Sequence, residues 1–378
     1  MMKMKKTVVR AILTMVGTII GAGIFGVPLV MEKMGVLVGS FVFWLIAFVI
    51  LASHLLFLEV IDRLRERMRL PGYVGKVLGS WAKRLAVFTH TFQLAGANFA
   101  YLILGGEFIR FIAEHFGLNL NVLWWQILFW AAGSMAVMLA LRLMAKVESA
   151  LTWGLILLMV FMIIVAAPQA DAIRIFSLRE GVHLASIGVF VFALFGLTAI
   201  AEVYEITGRR MENAKRGIFW GTLIAALLTW LFGLFVYAAI ATKDGESVLS
   251  LVKIFPSFLW WLLPLAGLLA VVTSFITSAF DLQAMFHLDL KRSPQMAKGA
   301  ALAIPVILLF IAKRNFLETI DTVGAFFSAG NGLLVVLAAY AIMRLDKPLL
   351  PWGKRTLLPI VCAIFFLAII IQRAIALL

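Results

Sequence analysis

The stretch Gly17-Thr-Ile-Ile-Gly-Ala-Gly-Ile-Phe-Gly-Val-Pro28 sets four glycines and a proline in the middle of an apolar run long enough to cross a membrane. Hydrocarbon offers the backbone no water, so such a run ordinarily forms one continuous helix, and an amide left unpaired at that depth is costly. Each glycine also costs about 1 kcal/mol relative to alanine inside a helix. The sequence therefore predicts a helix that breaks at membrane depth, with the bare backbone of Gly21 to Gly26 committed to a ligand. Close helix packing through small residues is the alternative use of the same glycines. Gly21 to Gly26 also spells the G-x-G-x-x-G of dinucleotide sites, but that motif needs a strand before it and an acidic residue about 20 positions on. Here an apolar run leads in and residues 41–51 carry no charge, which sets a nucleotide site aside.

The rest of the chain agrees with a membrane setting. Its 63% hydrophobic and 14% charged residues and mean hydropathy of +1.06 lie far from the roughly 45–50% and 25% of soluble proteins. It reads as an all-α polytopic membrane protein, one domain over residues 1–378, in contact with the lipid bilayer and leaving the oligomeric state open. The net charge of +14 does not imply a nucleic-acid partner, because the cations sit in short clusters between apolar runs. The single cysteine, Cys362, excludes an internal disulfide and argues against thiolate metal chemistry. No cofactor is expected. Lys3, Lys5, Lys6 and Arg10 precede the first run without a cleavage site after it, so that run is read as an uncleaved span.

Eleven spans of about 20 apolar residues are predicted, at 7–32, 36–60, 84–112, 122–141, 149–167, 182–207, 216–241, 258–287, 296–312, 319–343 and 355–376. A cytoplasmic N terminus places 24 of the 33 Lys and Arg on the inner side, as the positive-inside rule requires. That orientation implies the plasma (cell inner) membrane and an extracytoplasmic C terminus. The cluster Arg63, Arg65, Arg67 and Arg69 is read as part of this orientation signal, and Trp124-Trp125 and Trp260-Trp261 as interfacial anchors.

Span 6 carries Val189-Phe-Val-Phe-Ala-Leu-Phe-Gly196-Leu-Thr-Ala-Ile-Ala-Glu202-Val-Tyr-Glu205, a second glycine at mid-span. It comes five spans after span 1, and because five is odd the second set enters from the opposite face. This predicts an inverted repeat, with residues 7–167 and 182–343 as its halves and 355–376 as an extra helix. Paired interrupted segments in two such halves point to a transporter's midplane site.

These stretches, with Gly96-Ala-Asn-Phe-Ala-Tyr101-Leu-Ile-Leu-Gly-Gly-Glu107 of span 3, resemble the amino acid/auxin permease family. That family lies within the amino acid, polyamine and organocation superfamily and includes bacterial aromatic amino acid permeases. Ala201 departs from the pattern, which places proline there. The resemblance implies a five-plus-five repeat of leucine-transporter type with helices 1 and 6 broken, and cation-coupled uptake of an α-amino acid. The residues agree: free amides at Gly21, Ala22 and Gly23 suit a carboxylate, and carbonyls freed near Phe192 to Phe195 suit an ammonium. Ile24, Phe25, Asn98, Gly196 and Thr198 complete the expected substrate site, whose lining favours an apolar or aromatic side chain.

For the coupling ion, Thr273, Ser274 and Thr277 form a polar stripe in span 8 that, with the carbonyls of Gly17 and Ile20, would coordinate sodium; no other metal is expected. The same hydroxyls serve equally to bond their own helix or glue it to a neighbour, or to line a proton path. Glu202 and Glu205 are candidates for an inner gate paired with Arg209 and Arg210, for proton coupling, or for a solvated interface. Two other functions compete with transport: a sensor that binds an amino acid without moving it, and an intramembrane enzyme. The five histidines are scattered without metal-ligand spacing, which weighs against the enzyme.

Overall fold

The computed structural model describes residues 2–139, 144–171, 175, 186–239, 249, 252, 257–345 and 357–377. The predicted span ends at 140–141, 182–185, 240–241 and 355–356 lie outside them. Every regular element described is helical. Nine helices among the described residues are long and apolar enough to cross a membrane, and the bent pair Lys6–Ile19 and Ala22–Met34 makes a tenth, with 49° between its parts. The predicted span 3 is helical but is not among these ten. Its helix, Ser80–His115, has 36 residues, about 54 Å at 1.5 Å per residue. It is less apolar than the others because it buries Thr89, His90, Gln93 and Asn98 inside the protein.

Both predicted breaks are present. Span 1 leaves its helix after Ile19, extends at Gly21 (φ −134°, ψ −153°) and resumes as the tight turn Ala22–Gly26 and the helix Val27–Met34. Span 6 is interrupted at Phe195 and Gly196, between the helices Ile187–Leu194 and Leu197–Ile206. The breaks lock into each other with opposite polarity. A Cβ built on Gly23 would lie 2.7 Å from Ala193 Cα, and one on Gly196 would lie 2.7 Å from Ile19 Cγ1. Only residues without a side chain let two backbones approach this closely.

Around this crossing, small residues set helix distances. Gly217 and Gly221 of span 7 (Met211–Ala239), one turn apart, rest on Ala11 and Met15 of span 1. Phe25 packs edge-on against Phe108 of span 3 (5.5 Å) and Phe232 of span 7 (5.9 Å).

The segment read as an orientation signal has a further structural part. Leu70–Leu78 is a short helix between spans 2 and 3, and Gly79, at φ +88°, turns the chain from it into span 3. Its first amides are held by Asp289 at the end of span 8: Arg69 N–H donates to Oδ1 (3.0 Å) and Gly72 N–H to Oδ2 (2.8 Å). On the opposite face, Asp321 of span 10 pairs with Arg373 of span 11 at 2.8 Å, both largely buried. Its Oδ1 faces the first turn of the span 6 helix Ile187–Leu194, where a Cβ on Gly188 would lie 2.7 Å from it. Glu59, near the end of span 2, is buried and pairs with Arg63 at 3.4 Å.

Candidate functional site

A cavity of about 300 Å³ lies against the two breaks. At one end are Gly21, Gly23, Tyr101 and Ser274; Phe192, Phe195, Ala97, Leu94 and Thr198 line its length; Gln93, Arg69, Glu202, Phe280 and Asp281 lie toward the face that bears the N terminus. A second cavity, of about 500 Å³, opens on that face and shares Arg69, Glu202 and Phe280 with the first.

The chemistry at the Gly21 end follows from the backbone. Ile20 N–H still bonds Val16 (2.8 Å), and the next amide to find a carbonyl is that of Ile24, on Gly21 at 3.4 Å. The amides of Gly21, Ala22 and Gly23 fall between and start a helix, the arrangement that favours an anion. A Cβ on Gly21 would sit 2.7 Å from Ser274 Oγ and 3.6 Å from Tyr101 Oη, so both hydroxyls converge on the same point. Ser274 Oγ is buried and has no hydrogen-bond partner among the described residues. In span 6 the carbonyl of Phe192 receives the N–H of Phe195 at 3.3 Å, which leaves it a second lone pair.

The amide at the span 6 break is satisfied from elsewhere. Gly196 N–H donates to His54 Nε2 at 3.1 Å, and His54 Nδ1 lies 3.0 Å from Thr222 Oγ1 of span 7. An accepting Nε2 places the ring proton on Nδ1, facing Thr222. His54 is fully buried, so it is a structural pin for the break. His54→Leu leaves a buried amide unpaired, which costs about 1–3 kcal/mol; a fall in the protein's melting temperature is expected, which His54→Gln partly restores.

The structure sorts the expected site residues into two groups. Gly21, Gly23, Phe192, Phe195, Thr198, Ser274, Thr277 and Glu202 line the cavity. Ala22, Ile24 and Phe25 are buried without reaching it, and Phe25 belongs to the aromatic cluster of spans 1, 3 and 7. Asn98 is also fully buried and does not line the cavity, with both amide atoms unpartnered among the described residues. Gly17 faces Thr152 of span 5, and Ile20 is buried. Thr273 and Thr277 direct their hydroxyls to carbonyls of their own helix, at 2.9–3.0 Å and 3.1 Å respectively. Glu205 pairs with Arg209 at 2.9 Å in an exposed position. Glu202 does not share that pair and opens instead on the two cavities with Arg69. Among the described residues no cluster of His, Cys, Asp or Glu is arranged to hold a metal.

The family is fixed by a match along almost the whole chain. Residues 4–375 match the tryptophan/tyrosine permease family. The chain belongs to that family. In three dimensions it is similar to MhsT, solved in complex with L-phenylalanine, with a TM-score of 0.69 and 16% sequence identity over 96% of this chain and 98% of the other. At that identity the likeness concerns the fold, which is the leucine-transporter type. No curated protein matches the chain in sequence. The permease family and the membrane fold mark a transporter rather than an enzyme.

In this member of the family, Tyr101, Gln93, Arg69 and Asp281 are among the cavity residues that had no reading as substrate contacts. Tyr101 stood inside a quoted motif and Gln93 outside any. Arg69 was counted as a topogenic charge, yet its Nη1 lies 3.1 Å from Asp281 Oδ1. Asp281 in turn lies 3.1 Å from His90 Nε2. A buried ionisable residue inside a span is the available signal for Asp281 and His90. Nothing local marks Arg69.

Proposed function

We propose that this permease takes up an aromatic α-amino acid by alternating access, driven by a cation gradient, across the plasma membrane. The observation that carries the reading is the facing pair of breaks, which sets unpaired amides at Gly21 to Gly23 beside the carbonyl end of Ile187–Leu194 in one cavity. The amides, with Tyr101 and Ser274, suit a carboxylate; the carbonyls suit an ammonium; Phe192 and Phe195 flank an aromatic ring. The bound L-phenylalanine of MhsT and the motif resemblance to amino acid/auxin permeases support the same substrate class. The distribution of Lys and Arg supports a cytoplasmic N terminus. The larger cavity then opens to the cytoplasm.

Two groups are equipped for coupling. Ser274 and Thr277 offer oxygen lone pairs, since Thr277 spends its proton on its own helix, and with the carbonyls of Gly17 and Ile20 they form the sodium site of this proposal. Glu202, a carboxylate open to both cavities, is the alternative proton carrier. In proteoliposomes, labelled aromatic amino acid accumulates under an imposed gradient, and absence of accumulation under either sodium or pH gradients sinks the reading in favour of a sensor. With sodium coupling, Ser274→Ala and Thr277→Ala each raise the half-saturating sodium concentration about tenfold, one lost oxygen ligand being worth of order 1 kcal/mol. Sodium-independent uptake that Glu202→Gln uncouples from a pH gradient assigns the coupling to protons.

A further inference from the structure

The larger cavity, of about 500 Å³, carries opposite charges on different walls. Arg67 and Arg69 stand on the segment that leads into Leu70–Leu78, and Glu202 and Glu205 on the span 6 helix Leu197–Ile206. Arg69 is engaged by Asp281, and Glu205 by Arg209. Arg67 and Glu202 form no ion pair, with each other or with another described residue. The third wall is one face of span 8: Phe280, Gln283, Ala284, His287 and Leu288 recur at i, i+3, i+4, i+7 and i+8, the spacing of a single helical stripe. On it Gln283 Oε1 is buried and lacks a donor among the described residues. Arg67 does not hang on a loose loop. On one side, the carbonyl of Glu66 accepts from Tyr73 Oη at 2.6 Å and its carboxylate meets Lys76 Nζ at 3.0 Å. On the other, the amide of Arg69 is fixed by Asp289 at 3.0 Å. The backbone that carries the free guanidinium is therefore anchored at both ends.

We infer that this cavity is a second, weaker site for an aromatic amino acid, through which product on the inner side slows further uptake. The inference rests on the transport reading above and assigns a site apart from the pair of breaks. A free amino acid bears one carboxylate and one ammonium, and the two unpaired charges on the cavity walls, Arg67 and Glu202, match them one to one. A simple anion would leave Glu202 unmatched and meet its repulsion; a simple cation would meet that of the arginines. The side chain then lies on the span 8 face, where Phe280 and His287 offer rings and Leu288 an apolar edge. Gln283 Oε1 offers a further acceptor for the ligand's N–H groups. Charged contacts that stay open to water are weak, so the site fills well above the concentrations that the central cavity needs. Arg69, Glu202 and Phe280 belong to both cavities. An occupant of the larger one therefore stands across the way out of the smaller, and release slows as product accumulates.

Proteoliposomes of the full-length protein, oriented with the N-terminal face toward the lumen and preloaded with unlabelled L-phenylalanine, test this. As lumenal phenylalanine rises into the millimolar range, the maximal rate of labelled aromatic amino acid uptake should fall severalfold, with the external half-saturating concentration unchanged. Arg67→Gln should match the native rate from an empty lumen and need about tenfold more lumenal phenylalanine for the same inhibition, the size of one charge-assisted hydrogen bond. Arg67→Glu should lose the inhibition and Arg67→Lys should keep most of it. Arg67 is exposed, so none of these changes disturbs the packed helices. A native rate that lumenal phenylalanine leaves unchanged or raises would overturn the inference. So would inhibition of native strength in both Arg67→Gln and Arg67→Glu, which marks product re-entering the central cavity instead. Absence of any aromatic amino acid uptake would overturn the transport reading itself, and this inference with it.

Discussion

Gly23→Leu abolishes substrate binding and uptake while leaving the chain inserted and folded. Any Cβ at this position lies 2.7 Å from Ala193 Cα and 3.0 Å from Phe192 Cδ1, and the first of these is backbone, which cannot rotate away. The two broken spans must then separate, so the amides of span 1 and the carbonyl end of Ile187–Leu194 no longer address the same molecule. Substrate recognition depends on that pairing more than on any single contact, and a displacement of about 1 Å at such a site commonly costs about 100-fold. A loss of at least that size in uptake is expected, together with loss of the thermal stabilisation that an aromatic amino acid is expected to give the native protein. Gly299→Leu serves as the control for adding a leucine within a span, since nothing lies within 4 Å of a Cβ there. Retained affinity in Gly23→Leu would reduce the glycine to a packing residue and remove the main support for a backbone site.

The break at residues 20–26 was legible because glycine and proline act locally: they weaken a helix wherever they stand, and no tertiary contact is needed to see it. The same holds for Gly196 and for ten of the eleven predicted spans, which length and hydropathy alone pick out among the described residues. Span 3 was located by its apolar residues although it is the least apolar of them, since its polar residues turn inward onto other helices. What a linear sequence does not carry is rotation. Asn98 and Ala97 are adjacent in the chain but 100° apart around the helix, and it is Ala97 that faces the cavity. Phe25 fails as a substrate contact for a related reason: the turn after Gly21 aims it at Phe108 and Phe232. Long-range polar pairs were equally hidden. His54 meets Gly196 across 142 residues and Asn331 meets Gln93 across 238, and neither member of either pair signals the other. Glu202 and Arg209 show the converse error, since closeness in sequence suggested a pair that Glu205 makes instead.

Asp281→Asn is expected to open the cavity toward the N-terminal face. Arg69 stands on the wall that the two cavities share, together with Glu202 and Phe280. It is placed there from two sides: its backbone amide is fixed by Asp289 at 3.0 Å, and its guanidinium by Asp281 at 3.1 Å, with the carboxylate almost buried. Lys83 adds a bond from Nζ to the carbonyl of Asp289 at 2.8 Å. The short helix Leu70–Leu78 is thus clipped to the end of span 8, and Arg69 forms the floor of the cavity. Removing the carboxylate takes away the charged partner of a partly buried guanidinium, a loss of about 1–3 kcal/mol for a hydrogen bond between charged groups. His90 loses its charged acceptor at the same time. The arginine then moves to the wider cavity, where water reaches it. An engineered cysteine at Ala97, in a Cys362→Ala background, should react faster with an impermeant thiol reagent from the N-terminal face in Asp281→Asn than in the native background. Concentrative uptake should fall, since a floor that stays open lets substrate run back down its gradient. The paired change Arg69→Met with Asp281→Leu should recover melting temperature, as apolar replacement of both partners removes the unpaired charge, without recovering uptake. Unchanged labelling in Asp281→Asn would mean that another element, and not this ion pair, closes the cavity.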